Sequence, residues 1–120
     1  MGKLRVIGIG PGSIDNMTLR AYRAIEDSDI IVGYNKYIDM IKELIVDKEV
    51  YSTGMMGEEA RCKEALNLSK DKNVALISTG DSGIYGMAGL ILEMKGEEEV
   101  EIIPGITASS SGGSVLGAPL

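Results

Sequence analysis

Five short apolar runs divide the chain at close intervals: KLRVIGI, SDIIVGY, KEVYST, NVALIST and EVEIIPG. Between them, apolar residues recur at the three- and four-residue spacing of a helix. Successive side chains of a strand point to opposite faces of its sheet, so strands apolar at nearly every position need cover on both sides. Such strands alternating with helices predict an α/β fold, an open and mostly parallel five-stranded sheet with helices on both faces. At 120 residues the chain has the size of one domain, residues 1–120.

The connecting segments carry their own end signals. TLRAYRAIEDS predicts a helix with Thr18 as N-cap. KYIDMIKELIV sets Ile38, Ile41, Leu44 and Ile45 at helical spacing, which predicts one helix through that stretch. GEEARCKEALNLS opens with acids where the helix dipole favours them, and GMAGLILEMKG closes on Lys95 and Gly96. ITASSSGGSVLG reads as a helix of small residues, whose Ser109, Ser110, Ser111 and Ser114 suit close packing better than nucleophilic work.

Composition removes whole classes of chemistry. There is no histidine, which excludes Ser-His-Asp and Cys-His nucleophilic schemes and histidine-bearing zinc sites. Cys62 is the single cysteine, read as a small apolar residue on a helix, so no intramolecular disulfide or cysteine metal cluster is expected. The net charge is −6 with no basic block, and nucleic acid is therefore not an expected partner. MGKLRVIGIG runs straight into a strand, and no apolar stretch is long enough to cross a bilayer; the expectation is a cytoplasmic protein with no membrane partner.

In open parallel sheets, ligands bind beyond the carboxyl ends of the strands. Three glycine-bearing segments fall there: GIGPG (8–12) after the first strand, TGDSGIYG (79–86) after the fourth and PGITAS (104–109) after the fifth. A dinucleotide fingerprint would need a glycine where Ser13 stands, and no GxxxxGK[ST] phosphate loop occurs. GDSG at 80–83 evokes a protease serine, but no histidine exists to activate Ser82. What remains is a site of close backbone approach, with three turns meeting at one sheet edge.

In this order, VIGIGPGSIDNMTLRAYRAIEDSDIIVGY, STGDSGIYGMAG and EIIPGITASSSGGSVLGAPL resemble the tetrapyrrole methyltransferases of cobalamin and sirohaem synthesis, over nearly the whole chain. VGYNKY, STGMMGEEARCKEAL and a serine in place of the usual proline of the Gly-Asp-Pro loop look like the precorrin-3B C(17)-methyltransferase branch. The resemblance implies an enzyme that moves a methyl group from S-adenosylmethionine to a precorrin, with contraction of the macrocycle. It also implies that the cofactor lies between two α/β domains, of which this chain matches the N-terminal one and a C-terminal domain would be the missing partner.

Carried over by motif, Pro11, Thr79, Gly80, Asp81, Ile84, Thr107 and Ala108 would line the cofactor pocket, with Tyr85 nearby or in the core. A homodimer and a tetrapyrrole substrate are the implied partners. Some sirohaem-forming relatives carry an acid just after the second strand. Gly33, Tyr34 and Asn35 stand here, so no catalytic base is assigned. A non-catalytic domain that pairs with itself remains the alternative, as does action at another precorrin position.

Overall fold

A computed structural model describes residues 2–9, 17–54, 57–79 and 81–105; the side chains of residues 81–83 fall outside that description. Five strands, β1 (Leu4–Ile9), β2 (Ile30–Tyr34), β3 (Glu49–Thr53), β4 (Val74–Thr79) and β5 (Val100–Ile103), alternate with four α-helices. The helices are α1 (Leu19–Glu26), α2 (Asn35–Met40), α3 (Glu58–Leu68) and α4 (Asp81–Met94). Every strand pair is parallel and the sheet order is β3-β2-β4-β1-β5.

The near-continuous apolar strands are explained by what covers them. Leu4, Val6, Val32, Val74 and Leu76 pack with Cys62, Ala65, Ile84, Met87 and Ile91 of α3 and α4. The alternate strand residues Ile7, Ile9, Ile31, Ala75 and Ile77 pack with Ala21, Ala24 and Ile25 of α1 and with Ile41 and Ile45. The two layers together seal β1 and β4, where Leu4, Val6, Val74, Ala75 and Leu76 are wholly buried. Strand β3 lies at the sheet edge and is largely exposed, which is why its sequence is the least apolar of the five.

The winding places the carboxyl edge. The chain passes from β1 to β2 to β3 toward one side of the sheet with α1 and α2 on one face, then returns through α3 and α4 on the other. In open sheets wound this way, ligands bind at the carboxyl ends of the strands beside such a reversal.

Helix α1 starts where the sequence places it, because the Thr18 hydroxyl accepts a hydrogen bond from the Ala21 amide at 3.1 Å. The single helix expected through residues 36–46 is instead two pieces. After six residues α2 ends at Ile41, whose φ of −116° leaves the helical range, and a 3-10 turn covers Lys42–Leu44. Helix α2 has no side-chain cap and no acid in its first turn, so little beyond packing holds it. The apolar spacing is still used: Ile41 and Ile45 are buried, with Ile38 and Leu44 packed against the same cluster.

A second difference concerns the glycine-rich segment after β4. Residues 81–86 form the opening turns of α4 instead of a loop. Glycines 86 and 89 lie on a side of the helix where an added methyl would meet nothing, so their presence does not prevent helix formation. The helix predicted over residues 106–117 lies outside the described residues. No helix of the described residues is long and apolar enough to cross a membrane.

Candidate functional site

Three chain segments meet at the carboxyl edge of the central strands. Strands β1 and β4 run in register from Leu4 beside Val74 to Ile9 beside Thr79, which brings the two strand ends level. The half-buried Thr79 is followed, after one residue, by the first residue of α4. The N-terminus of that helix therefore opens beside the ends of β1 and β4, with the unpaired amides and partial positive charge that every helix start carries.

Ile84 sits beneath this junction. It is fully buried, and a β-carbon on Gly8 would come within 3.1 Å of its Cδ1. The same hypothetical carbon would lie 2.7 Å from the Gly105 nitrogen and 3.4 Å from the Pro104 carbonyl carbon. Glycine at position 8 is thus what lets the end of β1, the first turns of α4 and the chain after β5 close on one point. Convergence of the three segments, expected from their places in the sequence, is seen at Gly8, Ile84 and Gly105.

Of the seven expected lining residues, Thr79 and Ile84 are described in full, Thr79 at the end of β4 and Ile84 buried beneath Gly8. Asp81 is placed as the first residue of α4, and its side chain lies outside the described residues. Pro11, Gly80, Thr107 and Ala108 lie outside them altogether. Tyr85 is 58% exposed on α4, so the core alternative for it does not hold.

The ends of β2 and β3 form a second cluster that sequence reasoning missed. The rings of Tyr34 and Tyr37 meet edge to face at 5.1 Å, and the Arg61 guanidinium lies 5.9 Å from the centre of the Tyr34 ring. Arg61 Nη1 donates to the Thr53 hydroxyl at 2.6 Å and to the Gly54 carbonyl at 3.3 Å. Arg61 is only 4% exposed. The signal was available: positions 61, 62, 65, 66 and 69 share the inner face of α3 by helical spacing, and all are buried.

Cys62 behaves as a core residue. Burial pushes its thiol up to about 11, against a smaller opposing effect of Arg61, and its sulfur lies 3.2 Å from that of Met87. Among the described residues no group of three acids or cysteines comes together to hold a metal. The edge offers backbone groups, a threonine hydroxyl and a helix start. Such a set orients a ligand and fixes its polar groups without itself supplying a strong acid or base.

The sequence pattern of the Tetrapyrrole (Corrin/Porphyrin) Methylases matches residues 3–120. A protein of Salmonella typhimurium named a probable cobalt-factor III C(17)-methyltransferase is 51% identical over 98% of this chain and 51% of its own length. The cobalt-factor III methyltransferase of Priestia megaterium is 47% identical over 99% of this chain and 24% of its own. The crystal structure of the methyltransferase CobJ superposes with a TM-score of 0.77 at 31% identity, covering 100% of this chain and 53% of that one. The uroporphyrin-III-C-methyltransferase of Thermus thermophilus shares the fold, with a TM-score of 0.72 at 23% identity over 99% of this chain and 54% of its own. The chain thus spans about half or less of the length of these curated relatives.

Proposed function

The chain belongs to the tetrapyrrole (corrin/porphyrin) methylase family, and from that premise we propose that it supplies the N-terminal α/β domain of an S-adenosylmethionine-dependent methyltransferase of cobalamin synthesis. The reaction proposed is methyl transfer to ring carbon 17 of a precorrin, accompanied by contraction of the ring. The observation that carries this reading is the 51% identity, along nearly the whole chain, to a relative named for C(17) methylation of cobalt-factor III. Relatives named for cobalt-factor III stand at 40–51% identity, whereas the CobIJ proteins of mycobacteria stand at 33%. The cobalt-bearing substrate is accordingly the form we favour.

The residues at the carboxyl edge fit the cofactor in kind. Its amino-acid portion and ribose present groups that backbone amides, carbonyls and a carboxylate can bind; Thr79, Gly80 and Asp81 would supply these. Ile84 would form an apolar floor, and Pro11, Thr107 and Ala108 the flanking turns. When bound, S-adenosylmethionine supplies an activated methyl group on a sulfonium, displaced in line by a carbon nucleophile. The chain's task in such a step is to hold donor and acceptor in line and keep water out, which needs orientation more than a charged catalytic cluster. No base is assigned.

Coverage of half or less of the relatives' length supports a second α/β domain forming the other wall of the pocket. Calorimetric titration of S-adenosylmethionine into the chain completed with the C-terminal portion of the Salmonella relative tests the reading. Saturable one-to-one binding is expected, far tighter than to the chain alone, and absence of any binding heat rejects it. A second reading, self-association without catalysis, draws on Tyr85 and Leu92, which leave 58% and 54% of their surfaces exposed one above the other on α4. It gives a dimer in light scattering at high concentration; a uniform monomer rejects it.

A further inference from the structure

The Arg61 cluster lies at the carboxyl edge of β2 and β3, beside the proposed cofactor side of the sheet, and takes no part in the steps above. Its chemistry is unusual. An arginine only 4% exposed should have its guanidinium paired with a counter-charge, since a buried unpaired charge is costly. Among the described residues its polar partners are neutral, the Thr53 hydroxyl and the Gly54 carbonyl. Its Nε–H is buried with no acceptor among those residues.

A second feature coincides with it. Arg61 stands in the second turn of the eleven-residue helix α3, and helical side chains lean toward the N-terminus. Its Nη1 accordingly reaches to 3.4 Å from where a β-carbon on the N-cap residue Gly57 would stand. Gly57 offers no side-chain cap, so the first-turn amides of α3 have no capping partner from it and lie on the same side as the Arg61 Nη1. Thr53, whose hydroxyl the arginine engages, lies 2.8 Å from the same position. A side chain at 57 would collide with Thr53 and crowd Arg61, so glycine there lets both close on the start of α3. The acids of the first turn, Glu58 and Glu59, are exposed to solvent.

We propose that Arg61, Thr53 and the first-turn amides of α3 form a carboxylate-binding subsite that takes one of the peripheral acid side chains of the tetrapyrrole. The proposal rests on the methyltransferase reading for the identity of the ligand. A planar guanidinium offers two parallel donors to a carboxylate, and the Tyr34 ring beside it holds its plane. The subsite gives an otherwise acidic chain a local positive point for a polyanionic substrate, and it sets which edge of the macrocycle faces β2.

The test uses uroporphyrin I, a porphyrin bearing carboxylates on every pyrrole ring, and the full chain. In heteronuclear NMR, the Arg61 Nε–H resonance, assigned by its loss in Arg61→Lys, is expected to shift on titration together with the amides of residues 57–59. Arg61→Gln is expected to weaken uroporphyrin binding about tenfold or more, as befits a charged hydrogen bond, and Arg61→Lys less. A tetracationic porphyrin is expected not to bind there. An unmoved Nε–H at saturating uroporphyrin, or an equal shift produced by inorganic phosphate at the same concentration, overturns the proposal. The wild-type titration decides the matter even if the glutamine variant fails to fold. Loss of this arm with intact S-adenosylmethionine binding refutes the subsite alone, whereas loss of cofactor binding refutes the methyltransferase reading.

Discussion

Gly8 and Gly105 meet backbone to backbone: a β-carbon on Gly8 would stand 2.7 Å from the Gly105 nitrogen, and one on Gly105 would stand 2.9 Å from the Gly8 carbonyl oxygen. Both obstacles are main-chain atoms, which cannot swing aside as a side-chain tip can. Gly8→Ala and Gly105→Ala should each cost about 1–3 kcal/mol, the usual range for forced overpacking. Urea unfolding of the two variants checks this. Unchanged midpoints for both would mean that the end of β1 and the chain after β5 do not touch.

Ile84 joins the core and the candidate site. It is fully buried beneath Gly8, so Ile84→Ala should destabilise the fold by about 2–5 kcal/mol and Ile84→Val by about 0.5–1.5 kcal/mol. Thermal unfolding measures both. If Ile84 also floors the cofactor pocket, Ile84→Val should weaken S-adenosylmethionine binding in calorimetry while the protein stays folded. Equal affinity would leave Ile84 as core alone.

Glu101 is ringed by Arg20 at 2.9 Å, Arg5 at 3.3 Å and Lys3 at 3.5 Å. The hydrogen bond from Arg20, then that from Arg5 and the charge of Lys3, hold its carboxyl below the ordinary value of 4.5. A folded value below the unfolded one gives stability that is fully present above pH 4.5 and is lost as pH falls through the lower folded value. The group is partly exposed, so less than about 1 kcal/mol is at stake. Glu101→Gln should flatten that part of the acid-stability profile followed by circular dichroism. An identical profile would show that the cluster adds nothing.

Burial makes Cys62 a poor nucleophile, its thiol pushed up to about 11. At about the pH where an ordinary thiol is half ionised, ~8.5, a disulfide reagent should label native protein at the rate of unfolding and denatured protein at once. Rapid labelling without denaturant would contradict the packing of Cys62 against Met87.

The sheet was legible because its signal is redundant. The strands other than the exposed edge strand β3 carry apolar residues that both faces need, and Thr18 marks a helix start with a single hydroxyl. Two errors share one cause. Periodicity reports which residues face the core and says little about how the backbone brings them there, so Ile41 and Ile45 were placed correctly inside a helix that in fact breaks between α2 and the 3-10 turn. Likewise, glycines 83 and 86 suggested a loop where α4 had already begun, since tertiary packing of Ile84, Met87 and Ile91 outweighs their poor helix propensity. The positions of Gly8, Thr79 and Gly105 at one edge follow from strand ends, which sequence locates well. Helical spacing puts Arg61 on the inner face of α3, but that it is buried there without a charged partner is a property of the fold and not of any motif.

The most direct test supplies S-adenosylmethionine labelled with carbon-13 at the methyl group, together with cobalt-factor III, to the chain completed with the C-terminal portion of its Salmonella relative. Carbon NMR of the product then reports where the label has gone. The account predicts one labelled methyl on ring carbon 17 of a contracted macrocycle, formed only when cofactor, substrate and this chain are all present. Label remaining on the cofactor, with the protein folded and both ligands in excess, would contradict it.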